Sequence, residues 1–591
     1  MKLSINRNTI WCDLFIQRLV TLGVQYACVS PGSRSTPLTI ALASNSSIET
    51  FPIVDERSSA FFALGLAKKS NTPVVIVTTS GTAVAELHAA IIEAYYQRVP
   101  LIICTADRPS SLMNSGANQT INQHNIYKNH IRFFADAGLP EVKKLKNVVL
   151  LAEEAIKQSY FLNRGPVHLN FPFEKPFEPD NYTDKINIES IDNLFSKFSF
   201  EINPGKHAKI NFEKLTRKFI KEERGFILIG YGNYSKDFGK AVYKLSKILG
   251  YPVYADGASP MRFGRSQKEN LVENFTAFIR SQNFQKEFDP KIIIQFGGAP
   301  TGNVVLEFFK NSKAEKIIVN DFGDRNDPSL TAKNILACSP LEFCYSIINI
   351  ADKFKRGKNY WIENYKTANK IAESSKKNFI NNSFFAFEGR IISELINALP
   401  NKCNLMISNS LPVRDTDFFA ACSKKEINIF TNRGASGIDG VNSTAIGIAK
   451  ASKEPTYLLI GDLAFYHDMN GLLNSRKFNA PLTIILVDNS GGGIFESLPI
   501  SSFRELMEKT FLTPLNIDFE PFVKAYGGSF SRINNWRVFH RKLLSSVGNK
   551  TLTVLHLKTD AVKSKLQRQL YWAHTVQEID KQINEIRNRR H

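Results

Sequence analysis

The chain has 591 residues, of which 43% are hydrophobic and 22% charged, with a formal net charge of +20. That length suits about three or four domains, the composition is that of an ordinary globular protein, and no apolar run reaches the roughly 18 residues that cross a bilayer. The positive charge raises nucleic-acid binding as a class, but the basic residues are scattered apart from Arg587-Asn588-Arg589-Arg590, and no helix–turn–helix, zinc-finger or RNA-binding pattern accompanies them.

The first block runs from residue 1 to about 185. A helical pattern over 9–23 leads to a strand at 26–30, the turn Pro31-Gly32-Ser33-Arg34 and a helix from Thr36. A strand at 74–78 runs into Ser80-Gly81-Thr82 and a helix through Tyr96, and another strand follows at 101–105. Apolar strands alternating with helices predict a parallel sheet covered on both faces. The prolines of GPVHLNFPFEKPFEPDNY, which closes the block, predict a linker.

The middle block, about 186–355, carries GFILIGYGN, KIIIQFGGAP and KIIVNDFGD, each a strand followed by a glycine turn. These predict a second α/β sheet, structural in role, since no GxGxxG pattern is present. A charged helical stretch at about 350–378 links it to a third block, 380–591. There APLTIILVDNS parallels the VPLIICTADRP of the first block, which suggests internal duplication. The expected fold class is α/β, with three doubly wound parallel-sheet domains. The seven cysteines (12, 28, 104, 338, 344, 403 and 422) form no CxxC pair and leave one unmatched. Reduced core thiols are the expectation. The start MKLSINRNTIWCDLF lacks the basic-then-apolar layout of a secretion signal, so a cytoplasmic protein with no integral membrane association is expected.

Chemistry concentrates in PTYLLIGDLAFYHDMNGLLNSRKFNAPLTIILVDNSGGGIF. Asp462 follows one apolar strand and Asn489 ends the next, so both oxygen ligands fall at the carboxyl edge of one parallel sheet, where open α/β sheets bind ligands. Oxygen donors beside glycine-exposed backbone suit a hard cation such as Mg2+, shared with phosphates. The first block adds a polar series: Ser33-Arg34, Asp55-Glu56-Arg57, Ser80-Gly81-Thr82, Asp107-Arg108 and Asn118-Gln119. Arginine forks grip carboxylates bidentately, each charged hydrogen bond adding about 1.5–3 kcal/mol. The expected ligand is a small anion with more than one carboxylate.

The segments SPGSRSTPLTIALA, DERSSAFFALGLAK, TTSGTAVAELHAAIIEAYYQRVPLIICTADRP, GANQTINQ, SNSLPVRDTD, NRGASGIDG and GDLAFYHDMNGLL…VDNSGGGIFESLP occur in that order. Together they resemble the 2-succinyl-5-enolpyruvyl-6-hydroxy-3-cyclohexene-1-carboxylate synthase family, thiamine diphosphate enzymes of menaquinone biosynthesis. The resemblance covers most of blocks one and three and only loosely the middle block. It implies a pyrimidine-binding domain (1–185), a central domain (186–355) and a diphosphate-binding domain (380–591). It also implies a homodimer or homotetramer whose sites are shared between subunits.

The resemblance assigns roles residue by residue. Glu56 matches the glutamate bonded to the aminopyrimidine, and an apolar wall at Phe61-Phe62 is expected to raise its pKa. Asp462, Asn489 and the carbonyl of Gly491 match the ligands of Mg2+ (or Mn2+), with Leu463 beside them. Ile438 matches the apolar wedge under the bent cofactor. Ser33, Arg34, Arg108, Gln119, Ser410, Arg414 and Arg433 match substrate-positioning residues, and Ile494 and Phe495 an apolar wall. The implied reaction is decarboxylation of 2-oxoglutarate, the cofactor acting as electron sink, then conjugate addition of the resulting carbanion to isochorismate. Two departures stand out: Gly461-Asp462-Leu463 replaces the general Gly-Asp-Gly, a variation normal for this family, and Asn303 stands where many relatives carry a basic residue. The alternatives are another thiamine-dependent 2-oxo acid decarboxylase or carboligase, which lacks the arginine turns, and a noncatalytic regulatory or nucleic-acid-binding paralogue, which has no need of Glu56 or the metal ligands.

Overall fold

The computed structural model describes residues 6–179, 200, 210–264, 268–354 and 360–590. The expected junctions at 185/186 and near 355 lie outside the described residues. Three all-parallel sheets organise the chain. The first contains β1 (Tyr26–Val29), β2 (Glu49–Pro52), β3 (Val74–Thr78), β4 (Leu101–Asp107), β5 (Phe133–Asp136) and β6 (Pro166–Pro172), in the order β2-β1-β3-β4-β6-β5. The second contains β7 (Gly225–Ile229), β8 (Val253–Ala255), β9 (Ile292–Phe296), β10 (Glu315–Asn320) and β11 (Ala332–Ala337), in the order β11-β10-β9-β7-β8. The third contains β12 (Cys403–Ile407), β13 (Ile427–Thr431), β14 (Thr456–Gly461), β15 (Thr483–Asp488), β16 (Ser529–Arg532) and β17 (Thr553–Lys558), in the order β13-β12-β14-β15-β17-β16.

The third sheet thus repeats the strand order of the first, and the two similar segments noted above form β4 and β15 at the same place in each. Strands buried on both faces need apolar side chains at every position. In β3, Val74 and Ile76 enter one core while Val75 and Val77 enter the other. In β15, Ile484 and Leu486 face one way, Ile485 and Val487 the other.

One core is common to the first and third sheets. The helices Glu56–Ser70 and Val441–Lys450 cross within it so closely that side chains are excluded at the contact. A Cβ on Gly65 would lie 2.1 Å from the carbonyl oxygen of Thr444, and one on Gly447 would lie 2.2 Å from that of Phe62. Phe61 and Phe62 fill this core, Phe62 packing against Phe51 and Phe478. They brace the junction between sheets, each buried ring worth about 1.5–3 kcal/mol.

Two expectations need correction. The proline-bearing segment is no linker over 166–172: it is β6, buried at every residue and hydrogen-bonded between β4 and β5. Prolines are tolerated because they sit at the strand's two ends, where a missing N–H interrupts little of the ladder. Val167, Leu169 and Phe171 enter the core, while His168 bonds Thr105 and Asn170 bonds Asp107. The charged stretch also does more than link. Its helix Tyr360–Asn381 inserts Trp361, Tyr365, Ala368 and Ala372 into the core of the second sheet, a 3.6-residue stripe under a charged outer face. The same core receives Tyr571, Ile579 and Ile583 from the C-terminal helix Ala561–Arg590. The seven cysteines are all free thiols, Cys422 half-buried and the others buried.

Candidate active site

The ends of β14 and β15 build an oxygen-lined cradle. Asp462 opens the helix Asp462–His467 and is only 4% exposed. Its two carboxylate oxygens accept the backbone N–H of Leu463 at 2.9 Å and of Gly491 at 2.7 Å. Burial, followed by the neighbouring charge of Asp488, pushes its pKa up to about 7 despite those bonds. Burial alone would raise Asp488 as well, but bonds from His556, the Ser490 N–H and Lys558 hold it down at about 2. Asp462 is therefore the carboxylate of this pair that still lacks a cationic partner.

Gly491 has φ +122°, and a Cβ there would lie 2.0 Å from the carbonyl oxygen of Leu512. Only glycine fits this turn. Asn489 donates through Nδ2 to Glu388 at 2.9 Å, while its Oδ1 is buried with no partner among the described residues. A carboxylate and an orphaned amide oxygen beside a glycine turn are oxygen donors, the chemistry a hard divalent ion prefers.

The carboxyl edge of the first sheet gathers the predicted polar turns. Arg34 donates to the carbonyl of Phe173 at 2.8 Å and stacks on Phe177. Arg108 donates to Ser80 Oγ and to the carbonyl of Gln119, the latter at 2.9 Å. Burial and then the charge of Arg108 lower the pKa of Arg34, so the two guanidiniums share one field. Ser33 and Gln119 are exposed beside them. Glu56 is the first residue of its helix, behind the N-cap Asp55. Arg57 turns away from it to the carbonyl of His467 at 3.1 Å. The expected wall of Phe61 and Phe62 lies in the inter-sheet core instead, because these residues follow Glu56 at spacings that place them on the buried face of the helix.

A second arginine pair lies at the edge of the third sheet. Ser410 (φ +71°) starts the helix Leu411–Phe419, and Arg414 donates back to its carbonyl at 2.8 Å. Burial first, then the nearby Arg433, lowers the pKa of Arg414. Arg433 donates to Asn409 Oδ1 at 3.2 Å, and its Nε is buried with no partner among the described residues. Two close guanidiniums with an idle donor make an anion-seeking field. Ile438, half-buried, packs onto the core shared by the first and third sheets, and Ile494 and Phe495 are half-buried beside the cradle, Phe495 edge-on to Phe511.

The structure thus clusters the predicted residues in two groups: Ser33, Arg34, Arg108 and Gln119 on the first sheet, and Ser410, Arg414, Arg433, Asp462, Asn489 and Gly491 on the third. No hydrogen bond or ion pair among the described residues joins the two groups within one chain. Asn303 is exposed at the start of the helix Asn303–Asn311 in the second domain. Sequence reasoning missed Glu93, Lys68, Glu388, Asp415 and Arg568, which hold the site residues from behind. Lys68, Glu93 and Asp415 fall within the segments that carry the family resemblance and Glu388 and Arg568 outside them, but each is a single charged helix residue whose distant partner the local sequence does not indicate.

Three parallel α/β sheets, with an oxygen cradle on one and a carboxylate-led helix on another, define the architecture of a thiamine diphosphate enzyme. Family comparison agrees along the chain: residues 11–126 match "Thiamine pyrophosphate enzyme, N-terminal TPP binding domain", 202–407 "Middle domain of thiamine pyrophosphate", and 420–557 "Thiamine pyrophosphate enzyme, C-terminal TPP binding domain". Two solved structures share the fold: benzoylformate decarboxylase from Polynucleobacter necessarius (TM-score 0.67, 15% identity, 93% of this chain and 98% of that one) and the thiamine diphosphate-dependent 4-hydroxybenzoylformate decarboxylase of Rhodococcus jostii RHA1 (0.68, 13%, 93% and 99%). Curated relatives are much nearer. The 2-succinyl-5-enolpyruvyl-6-hydroxy-3-cyclohexene-1-carboxylate synthase of Bacillus cytotoxicus is 36% identical over 98% of each chain. That of Geobacillus kaustophilus is 34% identical over 97% of this chain and 99% of its own. The chain belongs to the 2-succinyl-5-enolpyruvyl-6-hydroxy-3-cyclohexene-1-carboxylate synthase family, and its cofactor is thiamine diphosphate.

Proposed function

We propose that the protein joins 2-oxoglutarate to isochorismate with release of CO2, giving 2-succinyl-5-enolpyruvyl-6-hydroxy-3-cyclohexene-1-carboxylate, with thiamine diphosphate and Mg2+ or Mn2+. The observation that carries this reading is the pairing of arginines at two sheet edges, Arg34 with Arg108 and Arg414 with Arg433, in a chain whose full-length relatives bear that synthase name. Both substrates are dicarboxylates, and paired guanidiniums are the side chains that grip them.

Bound thiamine diphosphate supplies the electron sink for decarboxylation. The chain's residues do the rest. Asp462, Asn489 Oδ1 and the Gly491 carbonyl would hold the divalent ion, with Leu463 fixing Asp462 through its N–H. The orphaned Oδ1 supports a cation there. Glu56 would hydrogen-bond the aminopyrimidine ring and hold a proton there, and Ile438 would supply apolar contact to the cofactor. Ser33, Arg34, Arg108 and Gln119, with Ser410, Arg414 and Arg433, bind and orient substrate carboxylates. Ile494 and Phe495 exclude water from the reacting carbon.

On this reading the first domain (1–185) binds the pyrimidine, the third (380–591) the diphosphate, and 186–355 lies between them. The protein would act as a homodimer or homotetramer with sites shared between subunits, as the family resemblance implies. The free thiols support a cytoplasmic setting. Among the described residues no helix is long and apolar enough to cross a membrane. Nucleic acid is not a partner in this reading.

The test is a product mass spectrum and CO2 assay on purified protein with Mg2+, thiamine diphosphate and 2-oxoglutarate, with and without isochorismate. Isochorismate-dependent formation of the adduct is expected. CO2 release with no adduct would instead mark a 2-oxo acid decarboxylase or a carboligase for another acceptor.

A further inference from the structure

The amide of Asn489 has two faces of similar shape, and only one of them can ligate a cation. Nδ2 of Asn489 lies 2.9 Å from Oε1 of Glu388, the first residue of the helix Glu388–Ala398. An ionised carboxylate only accepts hydrogen bonds, so the NH2 must face Glu388 and the oxygen must face the cradle. That oxygen is the buried Oδ1 with no partner among the described residues.

Glu388 is itself held, at 3% exposure, so that it cannot turn away. Its Oε1 also accepts from Thr559 Oγ1 at 3.1 Å, and its Oε2 from Nη2 of Arg568 on the C-terminal helix. Arg568 forks at the same time onto Asp415, at 2.7 Å from Nε and 2.6 Å from Nη2. Asp415 is the neighbour of Arg414. One buried guanidinium therefore ties the amide ligand of the cradle to the helix that carries an arginine of the anion site.

We propose that Glu388, locked by Arg568 and Thr559, is a positioning residue that presents Asn489 Oδ1 to the divalent ion of the cofactor. This inference rests on the reading of Asp462 and Asn489 as metal ligands. Partners that orient a ligand in this way typically control metal affinity by 10- to 100-fold.

The test titrates Mg2+ into protein with a fixed concentration of thiamine diphosphate, following cofactor binding by calorimetry. Glu388→Gln removes the obligate acceptor and lets the Asn489 amide flip. The Mg2+ concentration needed for half-maximal cofactor binding should rise about 10- to 100-fold, with Tm of the metal-free protein within a few degrees of wild type. Adding Asn489→Asp to Glu388→Gln reverses donor and acceptor, the glutamine NH2 now facing a carboxylate, and should recover at least tenfold of the loss. Wild-type Mg2+ dependence in Glu388→Gln overturns the inference. So does a loss that the swap fails to recover, since that marks a merely structural role. Asp462→Ala is titrated alongside. If it abolishes Mg2+-dependent binding while Glu388→Gln does not change it, only the role of Glu388 falls. If Asp462→Ala leaves binding intact, the metal reading falls and this inference with it.

Discussion

The carboxylate of Glu93 accepts the backbone N–H of Ala435 at 2.7 Å, across the junction between the first and third sheets. Its other oxygen accepts the Gly434 N–H at 2.8 Å, and Lys68 donates to the Thr431 carbonyl and to Asn432 Oδ1, both at 2.7 Å. The loop that presents Arg433 is thus clamped by two charged side chains of the first domain. Glu93→Ala should raise KM for the dicarboxylate substrates about tenfold, since one charged hydrogen bond is worth about 1.5–3 kcal/mol, while cofactor affinity changes less than threefold. Steady-state kinetics beside cofactor titration check this. Equal losses in both would place Glu93 in general stability.

Asp462→Ala should abolish Mg2+-dependent binding of thiamine diphosphate in calorimetry, because among the described residues Asp462 has no cationic partner, whereas Asp488 is paired with His556 and Lys558. Unchanged affinity would refute the metal assignment.

Gly491→Ala should weaken cofactor binding by at least tenfold without altering the ligand oxygens chemically. The added methyl meets backbone, the Leu512 carbonyl, at 2.0 Å in a φ of +122° that disfavours any side chain. A crystal structure of the variant should show the 490–493 turn displaced, and wild-type binding would mean that the turn has room to shift.

Glu56→Gln should keep thiamine diphosphate bound and lose most turnover, since an amide cannot hold a proton at the pyrimidine nitrogen as a carboxyl can. Turnover near the wild-type rate would remove Glu56 from the chemistry.

His168 provides a pH prediction. Burial, with a smaller push from His124, lowers its pKa to about 3, against about 6.5 in an unfolded chain. Between those values the unfolded chain binds a proton that the folded chain refuses. Its contribution to stability is therefore full above pH 6.5 and is lost as pH falls toward 3, by up to about 1.4 kcal/mol per pH unit. The fall in Tm between pH 7 and pH 5 should be smaller in His168→Gln than in wild type. Parallel Tm curves would show that His168 is not among the groups that sense acid.

Strand positions were readable wherever both faces of a strand are buried, because the apolar run is then continuous: β3 occupies the expected 74–78, and β4 begins at the expected Leu101. The amphipathic pattern of β6 defeated the same reading. Its His168 and Asn170 are polar and its ends are prolines, yet all are buried: Thr105 meets the His168 ring through Nε2, and Asp107 accepts from Asn170. The short edge strands β2 and β16 carry too few apolar residues to stand out.

Along the chain alone, then, one could see that three parallel sheets alternate with helices and that Asp462, Asn489 and the arginine turns share sheet edges. Those features are local: strand periodicity and the turn after a strand place a residue at an edge wherever the sheet ends up. Folding in three dimensions settled which edge residues remain uncompensated, Asn489 Oδ1 and Arg433 Nε among them, and which distant helices hold them. Glu93, Glu388 and Arg568 act across separations of more than a hundred residues. Contacts of that range depend on how sheets pack together, and no run of neighbouring residues encodes that packing.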